Sequence, residues 1–235
     1  MKNILSISAD AKTTKGESLG FLTGILYLAP ATTTKYNTCS MARVAQCDKA
    51  CLYSAGRGAF SSVQKARIAK TIRFFEQREA FMADLVFSIK ALIRKAVKQG
   101  LTPLVRLNGT SDIRWETIDL EVDGVWYPNI MAVFPETQFY DYTKDANRKD
   151  LPANYDLTFS YSGVDEYQPF VAKATAKGMR MAVVFRNRQD IPNTFMGIRV
   201  VSGDDSDVRH LDDDGVIVGL YAKGKAKQDT TGFVV

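Results

Sequence analysis

Residues 21–28 read FLTGILYL, and the chain then runs through Ala29-Pro30 and the polar stretch 31–38, ATTTKYNT, into residues 39–51, CSMARVAQCDKAC. The first stretch has the length and apolar content of a buried strand, closed by a proline that has no amide hydrogen for a ladder. Asn37 or Thr38 is placed to cap a short helix. On such a helix Cys47 and Cys51, four residues apart, share one face, and Cys39 folds back from the preceding loop.

Working outward, short apolar runs alternate with helical stretches. Residues 61–99 are strongly helical, with Gly100 as the stop signal. One apolar stripe is Ile68, Ile72 and Phe75; a second is Phe81, Leu85, Ile89, Leu92 and Ala96, and the pattern breaks near 77–79. Further strands are expected at 104–107, 130–134, 155–161, 179–185, 198–201 and 216–220, with helices beginning at 142–147 and spanning 166–177. This alternation predicts parallel βαβ units. The expected fold is α/β, an irregular or partial (β/α) barrel of about seven strands with the three-cysteine loop after the first strand. It forms one domain over 1–235, opened by an irregular arm at 1–20. Functional residues of such folds lie in loops after the carboxyl ends of the strands.

Composition sets the outer limits. The chain has 235 residues, 46% hydrophobic and 24% charged, which excludes disordered and collagen-like classes. No apolar run reaches membrane-spanning length, and none precedes the first lysines as a secretory signal would. A cytoplasmic protein with no membrane partner is expected. The formal net charge is +5, and residues 59–100 hold nine basic against three acidic residues. That stretch suits a nucleic acid or another polyanion, or else an ordinary solvated helix face.

All three cysteines fall at 39, 47 and 51, an odd number gathered in thirteen residues. In a reducing compartment such a group points to a metal or to thiol chemistry. Cys39, Cys47 and Cys51, spaced C-x7-C-x3-C, can ligate three irons of a [4Fe–4S] cluster and leave the fourth open for a small-molecule ligand. A Cys3His zinc site is the second reading, and it requires His210, the single histidine. Three unligated thiols are the third.

Candidate residues for binding a ligand at the open iron are Arg106, Asn108, Ser111 and Asp112, in RLNGTSD, and Asp207, Arg209 and His210, in GDDSDVRH. The first group equally describes an Asn-Gly turn followed by a helix cap, and the second an acidic surface loop. Gly56-Arg57-Gly58 offers backbone amides to a cluster or an anion. Walker A, Rossmann, H-E-x-x-H and G-x-S-x-G patterns are absent.

Four stretches, TCSMARVAQCDKACLYSAGRG, KARIAKTIRFFEQREAFMADL, VRLNGTSDIRWE and GDDSDVRHLDDDGVIVGLYAKGK, resemble a mainly phage- and plasmid-encoded family with a three-cysteine segment, over roughly residues 36–225. That resemblance implies a viral protein acting in the host cytoplasm. Closely spaced cysteines after the first strand of a βα barrel also resemble, more distantly, the radical S-adenosylmethionine enzymes. There the resemblance implies that the unique iron binds S-adenosylmethionine and that reduction releases a 5′-deoxyadenosyl radical. The usual C-x3-C-x2-C spacing with an aromatic before the last cysteine is replaced here by C-x7-C-x3-C with Ala50. Residues 108–112, NGTSD, stand where a glycine-rich stretch ending in an acid is expected. Cluster binding is compatible with both departures; cleavage of the methionine cofactor does not follow.

Overall fold

The computed structural model describes residues 1–8, 11–51, 53 and 55–235. Its first part holds β1 (Ser6–Ile7), α1 (Ala11–Glu17), β2 (Phe21–Ile25), α2 (Ser61–Glu76), α3 (Arg78–Gln99) and β3 (Thr102–Arg106). The middle adds β4 (Leu120–Val122), β5 (Val125–Tyr127), α4 (Ile130–Val133), β6 (Gln138–Thr143) and β7 (Tyr155–Ser160). The last part holds α5 (Gln168–Ala176), β8 (Met181–Phe185), β9 (Thr194–Phe195), β10 (Ile198–Ser202) and β11 (Ile217–Tyr221). The arm expected to be irregular therefore carries a short strand and a helix, and its residues 9 and 10 lie outside the described residues.

This is an α/β protein built on a nine-stranded sheet in the order β1-β2-β3-β6-β7-β8-β11-β10-β9. The strands from β2 to β10 in that order pair in parallel, while β1 and β9 join the edges antiparallel. No pairing between the two edge strands occurs among the described residues. The order is sequential up to β8, after which β11 inserts inside β10. Register aligns Ile25 with Arg106, Thr143 with Phe159 and Phe185 with Tyr221, so the loops after these strands emerge at one end. β4 and β5 form a separate hairpin.

One face of the sheet is covered by helices. Phe81, Leu85, Ile89, Leu92 and Ala96 of α3 are fully buried, as their spacing predicts, and pack with Leu22, Leu26 and Val105. Each large apolar side chain so buried contributes about 1.5–3 kcal/mol. Gly24 lets α3 approach β2, because a Cβ there would stand 2.8 Å from Leu92. The helices break at Gln77, whose φ of −137° and ψ of 53° lie outside the α region.

Three local expectations change. Residues 130–133 are helix α4 rather than strand, begun by Asn129, whose side chain accepts from the Ala132 amide. A four-residue apolar run does not distinguish the two states, and the cap decides. Residues 142 and 143, expected to open a helix, end strand β6 instead. The buried face of α2 is Arg67, Thr71 and Phe74, one position before the expected stripe, and Ile72 is exposed. Thr71 explains the shift: its hydroxyl accepts from the Ala29 amide at 2.8 Å, so α2 turns a polar face to the loop after β2.

The opposite face carries α1 and the segment 203–214. Val208 packs with Leu104 and Tyr140, and Gly16 lies 3.5 Å from Val208 at its Cβ position.

Candidate metal centre

The cysteine segment lies across the carboxyl ends of the strands and is held there by its neighbours. Thr38 Oγ1 donates to the Ala29 carbonyl at 2.7 Å, and its own carbonyl accepts from the Asp112 amide at 2.8 Å. Ser162, in the loop after β7, donates to the Ala45 carbonyl at 2.9 Å. Ala50 packs with Ala222 and Ala226 beyond β11.

Residues 40–50 form successive turns and not the expected helix. The Gln46 amide donates to Arg43 at 3.2 Å and the Cys47 amide to Ala42 at 3.1 Å, with Gln46 at φ 50°. This bond pair ends a single helical turn through a left-handed residue, a position that disfavours a side chain by about 1–2 kcal/mol. Ala31, at φ 43°, is the second such residue, and its amide hydrogen faces the Cys39 sulfur. Both left-handed residues lie beside cysteines that they help to place.

Cys39, Cys47 and Cys51 line one cavity of about 330 Å³, together with residues 30–33, Ala42, Asp48, Lys49, Tyr53 and Lys225. None is in a disulfide. Burial pushes the Cys39 thiol up to about 12 and the Cys47 thiol up to about 11, and it raises Cys51 as well. As bare thiols all three are neutral at ordinary pH. A bound cation reverses that, since a coordinated thiol is deprotonated outright.

Two buried cations stand behind these sulfurs. Lys144, just after β6, donates to the carbonyls of Ser160 at 2.9 Å and Tyr161 at 2.8 Å, lies 4.6 Å from the Phe233 ring centre, and feels the charge of Cys47. Burial lowers its pKa to about 8. Arg67 of α2 is 8% exposed and lies over the rings of Tyr27 and Tyr53, in electrostatic range of Cys51. Its Nε and Nη1 have no hydrogen-bond partner, and among the described residues it forms no ion pair. Gly58 makes room for it: a Cβ there would meet the Tyr53 carbonyl at 2.5 Å and Arg67 Nη1 at 3.2 Å. Both cations were missed in the sequence. Lys144 lay in a presumed helix, and Arg67 counted as one of many basic residues.

Of the ligand candidates, Asp112 is the one whose charge reaches Cys39 and Cys47. Its carboxylate accepts from the Lys144 amide at 2.7 Å and meets Arg148 at 3.3 Å. Asn108 and Ser111 bond to one another at 2.9 Å, and the Asn108 carbonyl also accepts from Ile113 and Trp115, an arrangement that shapes the turn. Arg106 pairs with Asp207 at 2.9 Å over the Tyr142 ring, on the far face of the sheet. Arg209 pairs there with Asp212, and Lys223 pairs with Asp204.

His210 stacks edge-on against Phe21, the first residue of β2, whereas the cysteines follow the last. A five-residue strand, about 15 Å, separates the two. The structure therefore does not bring His210 to the cysteines for a Cys3His site. Among the described residues, no group of three His, Cys, Asp or Glu side chains converges on a single ion.

The fold engages part of the basic stretch, while Lys65, Lys90, Arg94, Lys95 and Lys98 remain exposed. Arg67 is buried, Lys70 reaches the Ile4 carbonyl, Arg73 pairs with Asp84, Arg78 stacks on Phe74 and Lys90 pairs with Asp123. No helix among the described residues is long and apolar enough to cross a membrane.

Neither a search of curated proteins nor one of solved structures finds a match to this chain. The family model described as gene product 88 matches residues 3–235, nearly the whole length. The chain belongs to the gene product 88 family.

Proposed function

We propose that this protein binds a [4Fe–4S] cluster through Cys39, Cys47 and Cys51, leaving one iron open to a non-cysteine ligand in a redox or ligand-binding role. The observation that carries this reading is that the three thiols line a single cavity. A tetrahedral ion with Zn–S bonds of about 2.3 Å needs sulfurs within about 4 Å of one another. A cubane binds each thiolate at a different corner and suits donors that surround a space without meeting at a point. The donor set is soft, as iron–sulfur clusters and zinc both require, and the absence of a nearby histidine favours the cluster. When bound, the cluster supplies one-electron chemistry and an open Lewis-acidic iron.

The protein's own residues shape that centre. Asp112, held by Arg148, acts electrostatically on Cys39 and Cys47. The Ala31 and Tyr53 amides face the sulfurs of Cys39 and Cys51 and favour their thiolate forms. We read the sheet as a partial barrel. β2 and β11 are five ladder steps apart, about 24 Å if flat, yet Pro30 after β2 and Lys225 after β11 line the same cavity.

Anaerobic reconstitution tests the proposal. A brown protein with about four irons and four sulfides per chain is expected. A colourless protein carrying stoichiometric zinc rejects it. Adding S-adenosylmethionine to the reduced protein separates the roles: release of 5′-deoxyadenosine marks a radical enzyme, and reversible cycling without turnover marks a redox or sensing protein.

A further inference from the structure

We propose that Arg67 and Lys144 are the counter-charges of the cluster and raise its reduction potential by favouring the electron-richer state. This rests on the cluster reading above. Cations elsewhere in the interior of this protein face carboxylates: Arg106 faces Asp207, Arg148 faces Glu116 and Asp112, and Arg180 faces Asp156. Arg67 and Lys144 do not. Among the described residues Lys144 Nζ bonds to two carbonyls and to no carboxylate, and the Asp112 carboxylate near it is held by Arg148. Arg67 leaves two nitrogens without a partner between the Tyr27 and Tyr53 rings.

An unpaired buried charge is expensive, so an unpaired cation in a well-packed interior marks the place of an anion that binding supplies. Among the described residues the cavity is lined by one carboxylate, Asp48, which pairs with neither cation, and by the three thiols, which become anionic together when they bind a metal centre. Arg67 is in electrostatic range of Cys51, and Lys144 of Cys47, so the two cations approach the cysteine group through different members. They are positioning residues: neither lines the cavity, and each acts on the centre through a cysteine. One-electron reduction adds a negative charge to the cluster, and a fixed positive charge nearby stabilises that product over the oxidised form.

The test uses the full chain, reconstituted anaerobically and titrated with a one-electron reductant. Arg67→Met and Lys144→Met should each weaken reduction at least tenfold, a fall of about 59 mV for one electron. Arg67→Lys and Lys144→Arg should stay near the parent potential. Unchanged or higher potentials in both methionine variants, with iron content intact, overturn the proposal. If neither methionine variant loads a cluster, normal loading of the charge-retaining pair supports the need for charge. Failure of that pair as well overturns it, because shape is then what these positions supply. A parent chain that takes up no iron defeats the cluster reading itself, an outcome distinct from iron bound at an unshifted potential.

Discussion

Two polar regions of this molecule look alike in sequence and differ in how their charges end up. The segment 203–214, rich in Asp with Arg209 and His210, packs on one face of the sheet and joins a buried network. Arg106 meets Asp207, Arg209 meets Asp212, and Arg180 meets Asp156 and Asp214. The segment around the cysteines has fewer charges, yet beside it lie two buried cations that form no ion pair among the described residues, Arg67 and Lys144, and it contains two non-glycine residues in left-handed backbone, Ala31 and Gln46. The density of ionisable residues therefore does not distinguish a site from a scaffold here. A buried cation with no carboxylate partner does, because the folded chain tolerates an unmatched buried charge only where something else compensates.

The most direct way to break this comparison is at the ligands. Replacing any one of Cys39, Cys47 or Cys51 with Ala should abolish stable cluster binding, read as loss of visible absorbance and of bound iron. His210→Ala should leave both unchanged, and loss of iron in that variant would reverse the assignment of the two regions. A second contrast compares a paired with an unpaired cation. Arg148→Met strands the buried carboxylates of Glu116 and Asp112 and should lower stability by about 3–5 kcal/mol in denaturant melts. Arg67→Met in the iron-free chain strands no anion and removes an unmatched buried charge, so it should leave stability unchanged or raise it.

A third prediction sharpens the picture of the scaffold through pH. Asp141, buried within β6, accepts from the Leu107 and Asn108 amides and from the Tyr155 hydroxyl, and burial pushes its pKa up to about 7. The folded chain keeps this proton where the unfolded chain, with an ordinary value of 3.8, has lost it. Its contribution to stability therefore declines as pH rises from about 4 to 7, by roughly 2–4 kcal/mol. Asp141→Asn should flatten that decline relative to the parent, measured as denaturant midpoints across the range. The smallest effect is expected at Gln46, where Gln46→Gly relieves the left-handed turn and should stabilise the iron-free chain by at most about 1 kcal/mol.

Much of this was legible in the residues. The α3 stripe, the stop at Gly100 and five of the six later strands lie where apolar spacing and turn residues put them, because those signals are local. Strand β6 was not legible as such. It carries Asp141 at its centre, and an ionisable residue in a parallel strand has no sequence signature until the amides it serves, in the loop after β3, are known. Residues 130–133 failed for the opposite reason: a short apolar run suits either state, and only the Asn129 cap selects helix. At the site, the three cysteines announced themselves by spacing, whereas Lys144 and Arg67 did not.

Local physical chemistry, written along the chain, determined the parallel α/β architecture and the grouping of three cysteines in one loop. The tertiary structure alone decided which charges meet. Pairing depends on distances between segments far apart in sequence, and the same arginine is neutralised or left waiting for an anion according to what the folded sheet brings beside it.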